Sequence, residues 1–554
     1  MRRIVKVLGV NQVPGMLAWT HDSAAALVVD GTLVATAEEE RFSRNRHHKG
    51  YPYKAVEYCL AEGKLSKKEV DILAVSFHPY KVFASWPLYL RPFSLGRQLL
   101  NLGAFYLHRR AARKEFPNAR VVYVPHHLAH AATAYRCSGF NEANILTIDG
   151  SGETETFAFF TGKGGRIRKI WDIPLQKGAF GKRKGSSIGF AYSAVTNFLN
   201  LGVKAEGKTM GLASYGTPRY DFRDILRISN HRKYRIDREA LKRLYPTLER
   251  TNAKEPLSQE HKDLAASLQK ALEESLVNLA REAYEWSGSK NFCLAGGVAL
   301  NCNANSRIRG EDFCDELFVQ PGANDGGAAL GAALEAAARY DRPINFRMEH
   351  AYWGPSFADS EIERLLQEAK VRYERHDDIE KETAKLLADG KIVGWFQGRM
   401  ELGPRALGNR SILADPTVAG QNDIVNERVK HREPWRPFAP VVTEESGAKY
   451  FDDFRASPFM LLTFYVKKEW RKCLPAITHV DGSSRIQTVT EAQNRPLYRL
   501  LKEFEKRKGV PVLLNTSFND KDEPIVCTPR DALRCYFSTG LDALVMGNFI
   551  LTKD

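Results

Sequence analysis

Apolar and polar positions in the first half of the chain form a pattern that occurs twice. The first copy begins with the apolar run IVKVLGV, passes a polar turn around His21, and continues as SAAALVVDGTLVATAEEE. The second copy begins with NILTIDGSGE and continues as TFAFFTGKGGRIRKIWDI. The DG pair of the first copy and residues 162–165 of the second lie between apolar runs, which indicates hairpins. Each copy therefore predicts a strand, a polar or glycine-rich loop and a hairpin. A helix is predicted after each copy, near 53–63 for the first and near 187–201 for the second.

Two halves of this kind are the ground plan of the actin, sugar-kinase and Hsp70 ATPase fold. In that plan, loops at strand ends carry Asp and Gly to phosphates or a metal, because a Cβ would block the approach. The predicted fold class is α/β, with a duplicated actin-like domain in 1–340 and a second α/β domain in 356–554. Residues 341–355 are rich in polar and turn residues and are predicted to be the linker. Beyond it, 360–387 has helical spacing.

Composition is typical of a globular protein and excludes several classes. The 554 residues are 43% hydrophobic and 27% charged, which predicts more than one domain and no long disordered segment. Eight cysteines without a C-x-x-C pair argue against a zinc ribbon or a disulfide framework and favour a reducing, cytoplasmic location. The net charge of +15 fits either a plain basic protein or one that holds several phosphate-bearing ligands. Nucleic acid is not expected as a partner, because no repeat of basic and aromatic residues is present.

Residues 83–114 are apolar and aromatic at first and then strongly basic. We interpret this stretch as a buried helix with a solvated basic end. The alternative is a surface helix at a membrane interface, close to a lipid-linked acceptor. Peripheral contact with a membrane or glycolipid therefore stays open, as does oligomer formation, and no stretch is long and apolar enough to span a bilayer.

Two histidines and two aspartates form a candidate metal site. His126 and His130 lie four residues apart on a predicted helix, so they share one face and can present two imidazoles to one metal. The alternative is that both are ordinary surface histidines. Asp149 ends the strand NILTID, and Asp325 lies between an apolar strand and a small-residue helix, where helix capping is the alternative role. Such a set without a thiolate suits Fe(II), Mn(II) or Zn(II), any of which would polarise a carbonyl or phosphoryl oxygen.

Two runs of small residues, GKTMGLASYG at 207–216 and CLAGGVALNCNAN at 293–305, lie beside apolar strands. Either they allow tight packing of helix on strand, or they let the backbone approach an adenylate or phosphate. Neither matches the P-loop pattern. On the second interpretation, the adenylate site contains Gly150, Lys208, Gly211, Gly296, Gly297 and Asn303.

The motifs HHLAHA, IDGSGE, LAGGVALNCNAN and PGANDGG occur in this order, and together they resemble those of the nodulation-type and antibiotic O-carbamoyltransferases. The runs HDSAAALVVDG and AEEERFSR fit the same family. So do GRMELGPRALGNRSILADP, NERVKHREPWRPFAP and PVLLNTSFNDKDEPIV in the C-terminal half. The resemblance covers nearly the whole chain and implies that the actin-like domain is followed by a YrdC-like domain.

This resemblance implies a transfer in two steps that consumes ATP and carbamoyl phosphate. In the YrdC-like domain, carbamoyl phosphate loses phosphate, and the carbamate attacks the α-phosphate of Mg²⁺-bound ATP to give carbamoyl-adenylate and pyrophosphate. In the actin-like domain, an acceptor hydroxyl takes the carbamoyl group and AMP leaves. The family's metal, Fe(II), is assigned by the resemblance to the two histidines and two aspartates above, with other divalent metals left open.

The resemblance also places the carbamoyl phosphate and ATP site in the C-terminal domain. Several arginines and a lysine lie close together in this part of the sequence, and their mutual repulsion is unfavourable unless anions neutralise it. The alternative is a basic surface exposed to solvent. Lys430 and Arg436 are expected to be catalytic, and Asn515 with Asn519 is expected to hold the carbamate amide beside Ser517. The predicted set is Arg405, Arg410, Lys430, Arg432, Arg436, Arg485, Asn515 and Ser517.

His21 is the family-matched base for the acceptor hydroxyl, because an imidazole titrates near neutral pH; an ordinary loop histidine is the alternative. Some relatives carry an acidic residue two positions earlier, where this chain has Trp19. The residue that orients His21 is therefore not identified by the sequence.

Three other functions compete with O-carbamoyl transfer. A tRNA threonylcarbamoyl enzyme shares the metal motif, but the C-terminal domain and the EEERFSR segment argue against it. A hydrogenase-maturation carbamoyl carrier has cysteine zinc motifs, which this chain lacks. A nucleotide-binding scaffold without catalysis would have lost the site residues. The acceptor is expected to be sugar-like: an antibiotic, an oligosaccharide or a cell-envelope glycan.

Overall fold

The computed structural model describes residues 4–13, 21–78, 94–175, 184–185, 187–223, 225–229, 233–340 and 344–553. The chain forms two compact units. Unit 1 contains Met1–Glu39 and His47–Met348, and unit 2 contains Glu40–Arg46 and Glu349–Asp554.

Unit 1 contains thirteen described strands and most of the long helices. Its strands are β1 (Lys6–Val10), β2 (Ala24–Val29), β3 (Thr32–Glu38), β4 (Ile72–Val75), β5 (Arg120–Tyr123), β6 (Glu142–Ile148), β7 (Glu155–Lys163), β8 (Arg166–Pro174), β9 (Lys184–Gly185), β10 (Leu226–Ser229), β11 (Lys233–Asp237), β12 (Asn291–Ala295) and β13 (Glu316–Val319). Its helices are α1 (Glu39–Ser43), which continues into unit 2, α2 (Tyr53–Glu62), α3 (Ser94–Glu115), α4 (His126–Ser138), α5 (Ile188–Phe198), α6 (Glu206–Ala213), α7 (Arg238–Leu244), α8 (Gln259–Ser287), α9 (Cys302–Arg309) and α10 (Asp325–Ala338).

Two five-stranded sheets of unit 1 have the same topology. The first has the order β3-β2-β1-β4-β5, with β2 antiparallel to both neighbours and β4 and β5 parallel to β1. The second has the order β8-β7-β6-β12-β13, and its strands run in the corresponding directions. This repeated topology confirms the predicted duplication and the actin-like α/β class. A small three-stranded sheet, β10-β11-β9, completes the described strands of unit 1.

Helices α4 and α10 pack so closely that only glycine fits at their contact. A Cβ on Gly331 of α10 would lie 1.8 Å from the carbonyl oxygen of Ala129 on α4. On another side of α10, a Cβ on Gly9 of β1 would lie 2.1 Å from the carbonyl oxygen of Ala329. The small-residue sequence of α10 therefore lets it approach both α4 and the first sheet, and both helix N-termini carry predicted metal ligands.

Unit 2 is built around one mixed sheet of eight strands in the order β14-β23-β22-β15-β16-β21-β17-β20. Its strands, including the separate β18-β19 pair, are β14 (Glu374–Arg375), β15 (Val393–Phe396), β16 (Arg410–Ala414), β17 (Ala439–Thr443), β18 (Phe464–Tyr465), β19 (Ser483–Ser484), β20 (Gln487–Val489), β21 (Val512–Ser517), β22 (Ala543–Met546) and β23 (Phe549–Thr552). Its helices are α11 (Asp359–Glu368), α12 (Ile379–Ala388), α13 (Gln421–Val425), α14 (Gly447–Tyr450), α15 (Arg495–Lys508) and α16 (Pro529–Ser538). Buried apolar residues of these strands and helices form one core.

The helical spacing predicted over 360–387 is present as two helices, α11 and α12. Lys370, just after α11, adopts a left-handed backbone conformation (φ 54°), which a right-handed helix cannot continue through. The division between units after Met348 lies inside the predicted linker 341–355, but Met348 itself belongs to unit 1, where its N–H donates to the carbonyl of Cys137.

A short segment from the first part of the chain, 40–46, belongs to unit 2, which the sequence did not predict. Arg44 donates to the carbonyl oxygens of Ile525 (2.6 Å) and Pro524 (2.7 Å), and Arg41 donates to that of Gly403 (2.7 Å). These charge-assisted bonds fix the segment to the C-terminal sheet domain.

Part of the aromatic and basic stretch predicted at 83–114 lies outside the described residues. From Ser94 onward the chain is helical as α3, and the basic side chains of Arg109 and Arg113 are exposed. Among the residues that the structure describes, no helix has the length and hydropathy needed to cross a membrane.

We predict that Gly331→Ala destabilises the protein by about 1–3 kcal/mol, because the new methyl group forces α4 and α10 apart. Urea denaturation measures this change. Gly310→Ala is the matched control, since a Cβ there would meet its nearest neighbour at 3.5 Å, an ordinary contact. Equal stability of the two variants would show that the helices can separate without cost.

Candidate active site

Helix α4 brings the two predicted histidine ligands together. It begins at His126, and its first residues follow β5 and Pro125. The Nε2 atoms of His126 and His130 lie 3.2 Å apart, and both side chains are buried. The i, i+4 spacing therefore aims both imidazoles at one point, as predicted.

Asp149 follows β6 and presents its two carboxylate oxygens to different partners. Oδ2 lies 3.1 Å from Nε2 of His126 and 3.7 Å from Nε2 of His130. Oδ1 accepts hydrogen bonds from the backbone N–H groups of Gly150 (2.7 Å) and Gly297 (3.2 Å). One oxygen is thus anchored by the backbone, which orients the other toward the histidines.

Asp325 completes the group from the first turn of α10. Its Oδ1 lies 3.6 Å from the Nε2 atoms of both His126 and His130. Its backbone carbonyl accepts a hydrogen bond from Nδ2 of Asn11, at 3.3 Å. Donor atoms from α4, β6 and α10 therefore converge on one point.

The separations between these donor atoms fit a metal ion. Four ligands at roughly 2.1 Å from a tetrahedrally coordinated ion lie about 3.4 Å from one another. The separations in this site run from 3.1 to 3.7 Å. Imidazole and carboxylate ligands without thiolate suit Fe(II), Mn(II) or Zn(II), so the residues fit the group that was predicted.

The pKa values of His126 and of its neighbour His127 are shifted in opposite directions. Burial lowers the pKa of His126, but the hydrogen bond to Asp149 and the charges of Asp325 and Asp149 outweigh it and raise this pKa to about 9. Burial and the neighbouring histidines lower the pKa of His127 to about 3. His127 is bonded to Thr147 (Nδ1–Oγ1 2.8 Å), so it is a neutral packing residue beside the site.

The predicted adenylate residues lie in different settings. Gly150 and Gly297 use their N–H groups to hold Asp149, a role that differs from the predicted phosphate contact. Gly296 has φ 92°, and a Cβ there would lie 2.2 Å from the carbonyl oxygen of Ile148, so this turn requires glycine. The remaining predicted residues lie on helices: Lys208 and Gly211 on α6, and Asn303 on α9.

His21, the predicted base, is oriented by the residue that follows it. Its Nδ1 lies 2.8 Å from Oδ2 of Asp22. Trp19, where an acidic partner was expected from some relatives, lies outside the described residues. The orienting partner that the sequence left unidentified is therefore Asp22.

In unit 2, Lys430 ends a π-helical turn (Asn426–Lys430) and is buried. Its Nζ donates to the carbonyl oxygens of Ser517 and Asn519, both at 2.8 Å, and contacts their side-chain oxygens. Burial and the charges of Arg432 and Arg436 hold the pKa of Lys430 well below its usual value. Lys430 thus fixes the loop that carries Ser517.

Arg432 lies within electrostatic range of three other predicted arginines. Burial, followed by the charges of Arg436, Arg485 and Arg405, holds the pKa of Arg432 well below its usual value. Glu433 lies 3.8 Å from Arg436 and offsets part of this charge. Guanidinium groups gathered in this way are stabilised by a bound anion, and their fork geometry matches phosphate oxygens.

Arg410 does not belong to this cluster, although it was predicted to complete the phosphate cage. It is fully buried, and its guanidinium donates to the carbonyl oxygens of Gln397 (2.5 Å) and Pro355 (3.1 Å). It also lies 3.6 Å above the ring of Phe396. These contacts make Arg410 a structural residue of the core, where its guanidinium is already bonded to carbonyl oxygens and not directed at a phosphate.

Asn515 and Ser517 lie at the end of β21. The side-chain Nδ2 of Asn515 donates to Gln487 (2.8 Å), and its buried Oδ1 has no hydrogen-bond partner among the described residues. The hydroxyl of Ser517 donates to Oδ1 of Asn519 (2.7 Å). An amide-bearing ligand could satisfy the Asn515 oxygen, in keeping with the prediction for the carbamate amide.

Three residues near His21 and near the arginines of unit 2 were not predicted from the sequence. Asp22 and His47 accompany His21, and Arg46 adds its charge to the group around Arg436. Arg46 belongs to the segment that joins unit 2, so its place depends on a long-range contact. The family-like run HDSAAALVVDG contains Asp22, and the run AEEERFSR ends two residues before Arg46, but neither motif by itself indicates which side chains meet.

Family comparisons agree with this geometry. Residues 12–334 match the model for the carbamoyltransferase N-terminus, and residues 384–553 match the model for the carbamoyltransferase C-terminus. The chain belongs to the carbamoyltransferase family. On this assignment the protein is a transferase enzyme, and the family named from its motifs is confirmed.

Individual relatives cover most of the chain. Nodulation protein NolNO of Sinorhizobium fredii is 38% identical over 96% of this carbamoyltransferase and 79% of its own length. An uncharacterised protein of Synechocystis, sll1178, is also 38% identical, over 98% of this chain and 97% of its own. The solved structure of T. kodakarensis HypF covers 61% of this chain and 48% of HypF, at 15% identity and a TM-score of 0.36. A likeness of that extent carries no further conclusion.

We predict that Asp149→Asn and His130→Gln each weaken Fe(II) binding by at least about 100-fold. Loss of a residue that only hydrogen-bonds to a metal ligand costs about 10- to 100-fold in affinity, and loss of a ligand itself should cost more. Metal titration followed by mass spectrometry of the bound ion measures the change. His376→Gln is the control, since this histidine lies in unit 2. Undiminished binding in both ligand variants would contradict the site.

We also predict opposite effects for two arginines of unit 2. Arg410→Ala should lower the free energy of unfolding by about 3 kcal/mol or more, because it leaves a cavity and unpaired carbonyl groups. Arg436→Ala should leave stability nearly unchanged and weaken binding of inorganic pyrophosphate by about 10- to 100-fold. Denaturation and calorimetric titration of both variants test this, and the reverse pattern would place Arg410 in the cage.

Proposed function

We propose that this carbamoyltransferase uses ATP and carbamoyl phosphate to carbamoylate a hydroxyl of a sugar-like acceptor. The observation that carries the proposal is the cluster of Arg405, Arg432, Arg436 and Arg485 beside the Lys430 loop. Glu433 offsets only part of this positive charge, and the remainder suits the phosphate groups of two ligands bound side by side. Family membership supplies the carbamoyl chemistry.

Unit 2 is proposed to make carbamoyl-adenylate. The arginines bind the phosphate groups of carbamoyl phosphate and of Mg²⁺-bound ATP, and they stabilise charge that develops on the leaving groups. Lys430 holds the loop with Ser517 in place, and Asn515 accepts a hydrogen bond from the carbamate amide. Water cleaves carbamoyl phosphate into carbamate and inorganic phosphate, which leaves the site. A carbamate oxygen then attacks the α-phosphate of ATP, and the bond to the β-phosphate breaks to release pyrophosphate.

Unit 1 is proposed to transfer the carbamoyl group. His126, His130, Asp149 and Asp325 would hold Fe(II) or a similar divalent ion, which, when bound, polarises a carbonyl or phosphoryl oxygen. His21 takes the proton from the acceptor hydroxyl. The hydroxyl oxygen forms a bond to the carbamoyl carbon, and AMP leaves with its phosphate oxygen.

The partners follow from this chemistry. The acceptor is proposed to be an antibiotic, an oligosaccharide or a cell-envelope glycan with a free hydroxyl, and no nucleic acid takes part. The exposed basic end of α3, including Arg109 and Arg113, suits an anionic or lipid-linked acceptor.

We predict that the purified protein releases pyrophosphate from ATP only when carbamoyl phosphate is present, and that Lys430→Ala reduces this release by at least about 100-fold. Removal of the buried Nζ frees the Ser517 loop and leaves its oxygens unpaired. A coupled pyrophosphate assay measures the rate. Lys506→Ala is the matched control, because Lys506 lies on the solvent side of α15 paired with Glu503.

Production of ADP in place of pyrophosphate would contradict the proposal and favour a plain ATPase. A shift of bulk tRNA by the protein in a gel at physiological salt would favour a tRNA threonylcarbamoyl enzyme instead.

A further inference from the structure

Unit 1 contains a second cluster of titratable side chains: His21, Asp22 and His47. Asp22 lies between the two histidines, with Oδ2 2.8 Å from Nδ1 of His21 and Oδ1 2.6 Å from Nδ1 of His47. The imidazole rings are 6.2 Å apart at an angle of 81°. Asp22 is 5% exposed, so its carboxylate is committed to these two partners in place of water.

The spacing of this cluster is that of hydrogen bonds. Its nitrogen and oxygen atoms lie within 4.8 Å of one another, close enough for a shared metal ion. Both nitrogen–oxygen contacts, however, are shorter than the separations of 3.1–3.7 Å at the four-residue site described above. Separations of 2.6 and 2.8 Å are those of N–H donors on a charged oxygen.

Two loops are held in a constrained backbone conformation to make this contact. Asp22 (φ 58°) and His47 (φ 54°) both adopt the left-handed region, which is unfavourable for residues other than glycine. Ser23 ties the loops together, because its N–H and its hydroxyl both donate to the carbonyl oxygen of His48. Asn11 donates to the carbonyl oxygen of Asp22 at 2.8 Å. Strain kept in two neighbouring loops points to a function for the side chains that it orients.

The charges around Asp22 and His21 define their protonation. Hydrogen bonds from both histidines outweigh burial and hold the pKa of Asp22 far below its usual value, so it is an ionised acceptor. Burial lowers the pKa of His21, but the bond to Asp22 and the charges of Asp325 and Asp22 raise it overall, while Lys204 opposes them. An ionised carboxylate can only accept, so both imidazoles donate from Nδ1.

We propose that His47 is a positioning residue for His21, acting through the carboxylate that they share. His47 holds one oxygen of Asp22 so that the other keeps His21 in the tautomer with the proton on Nδ1. The Nε2 lone pair of His21 is then available as a base. This inference rests on the proposed function only for the role of His21 in proton transfer.

The shared carboxylate fits the proton movement of the transfer step. As the acceptor oxygen forms its bond to the carbamoyl carbon, its proton moves to Nε2 of His21. The bond from that carbon to the phosphate oxygen breaks, and AMP takes the electron pair. The imidazolium that results is stabilised by Asp22, whose orientation depends on His47.

Two substitutions at position 47 separate positioning from simple packing. Asn and Gly both tolerate the left-handed backbone there, but only Asn retains an N–H donor for Asp22. Full-length protein labelled with ¹⁵N-histidine reports the tautomer and the pKa of His21 by NMR, with His21→Gln used to assign its signals. Thermal denaturation of each variant confirms that it is folded.

We expect the Nδ1–H tautomer of His21 in the wild type and in His47→Asn. In His47→Gly the carboxylate is free to rotate, so His21 should become a mixture of tautomers and its pKa should fall. Asp22→Asn should lower the pKa of His21 further, and adding His47→Gly to it should change nothing more. The base works unprotonated, so each fall in this pKa moves the acidic limb of transfer to lower pH.

A tautomer and pKa of His21 in His47→Gly equal to those of the wild type would overturn the proposal. Because these spectra need no turnover, they separate this inference from the proposed function. Absence of carbamoyl phosphate-dependent pyrophosphate release in the wild type would contradict the proposed function while the spectra still decide the role of His47.

Discussion

The contact between α4 and α10 is the constraint on which the site of unit 1 depends. Gly331 lets the backbone of α10 approach Ala129 of α4 with no side chain between them. Because ligands lie at the N-terminal ends of both helices, the same contact sets the distance from His126 and His130 to Asp325. The N–H groups of Gly150 and Gly297 then fix the carboxylate of Asp149. A packing requirement and a chemical requirement are thus met by the same small residues.

Unit 2 depends on the opposite condition, a local excess of like charge. Lys430 is buried with oxygens of the Ser517 loop around its nitrogen, while the arginines around Arg432 repel one another until an anion arrives. The proposed phosphate site therefore concentrates positive charge before an anion is bound. Segment 40–46, fixed by Arg41 and Arg44, adds Arg46 to this charge from a distant part of the sequence.

The sequence predicted features that are local or repeated. The duplicated strand pattern gave the two actin-like sheets, and the i, i+4 spacing with two strand-end aspartates gave the convergent ligands. It did not predict the bond between Asp22 and His47, because that contact joins loops 25 residues apart through unusual backbone conformations. It was wrong about Arg410, because a dense basic motif does not reveal which guanidinium the core will enclose. Local patterns cannot specify such contacts, since tertiary packing decides them.

Isotope exchange tests most directly whether unit 2 forms carbamoyl-adenylate. Radiolabelled pyrophosphate would be incubated with the protein, ATP, Mg²⁺ and carbamoyl phosphate, and the label in ATP would be measured. We predict exchange that requires carbamoyl phosphate, because the adenylate step is reversible while its product stays bound. ATP turnover without any exchange of label, with ADP as product, would contradict it.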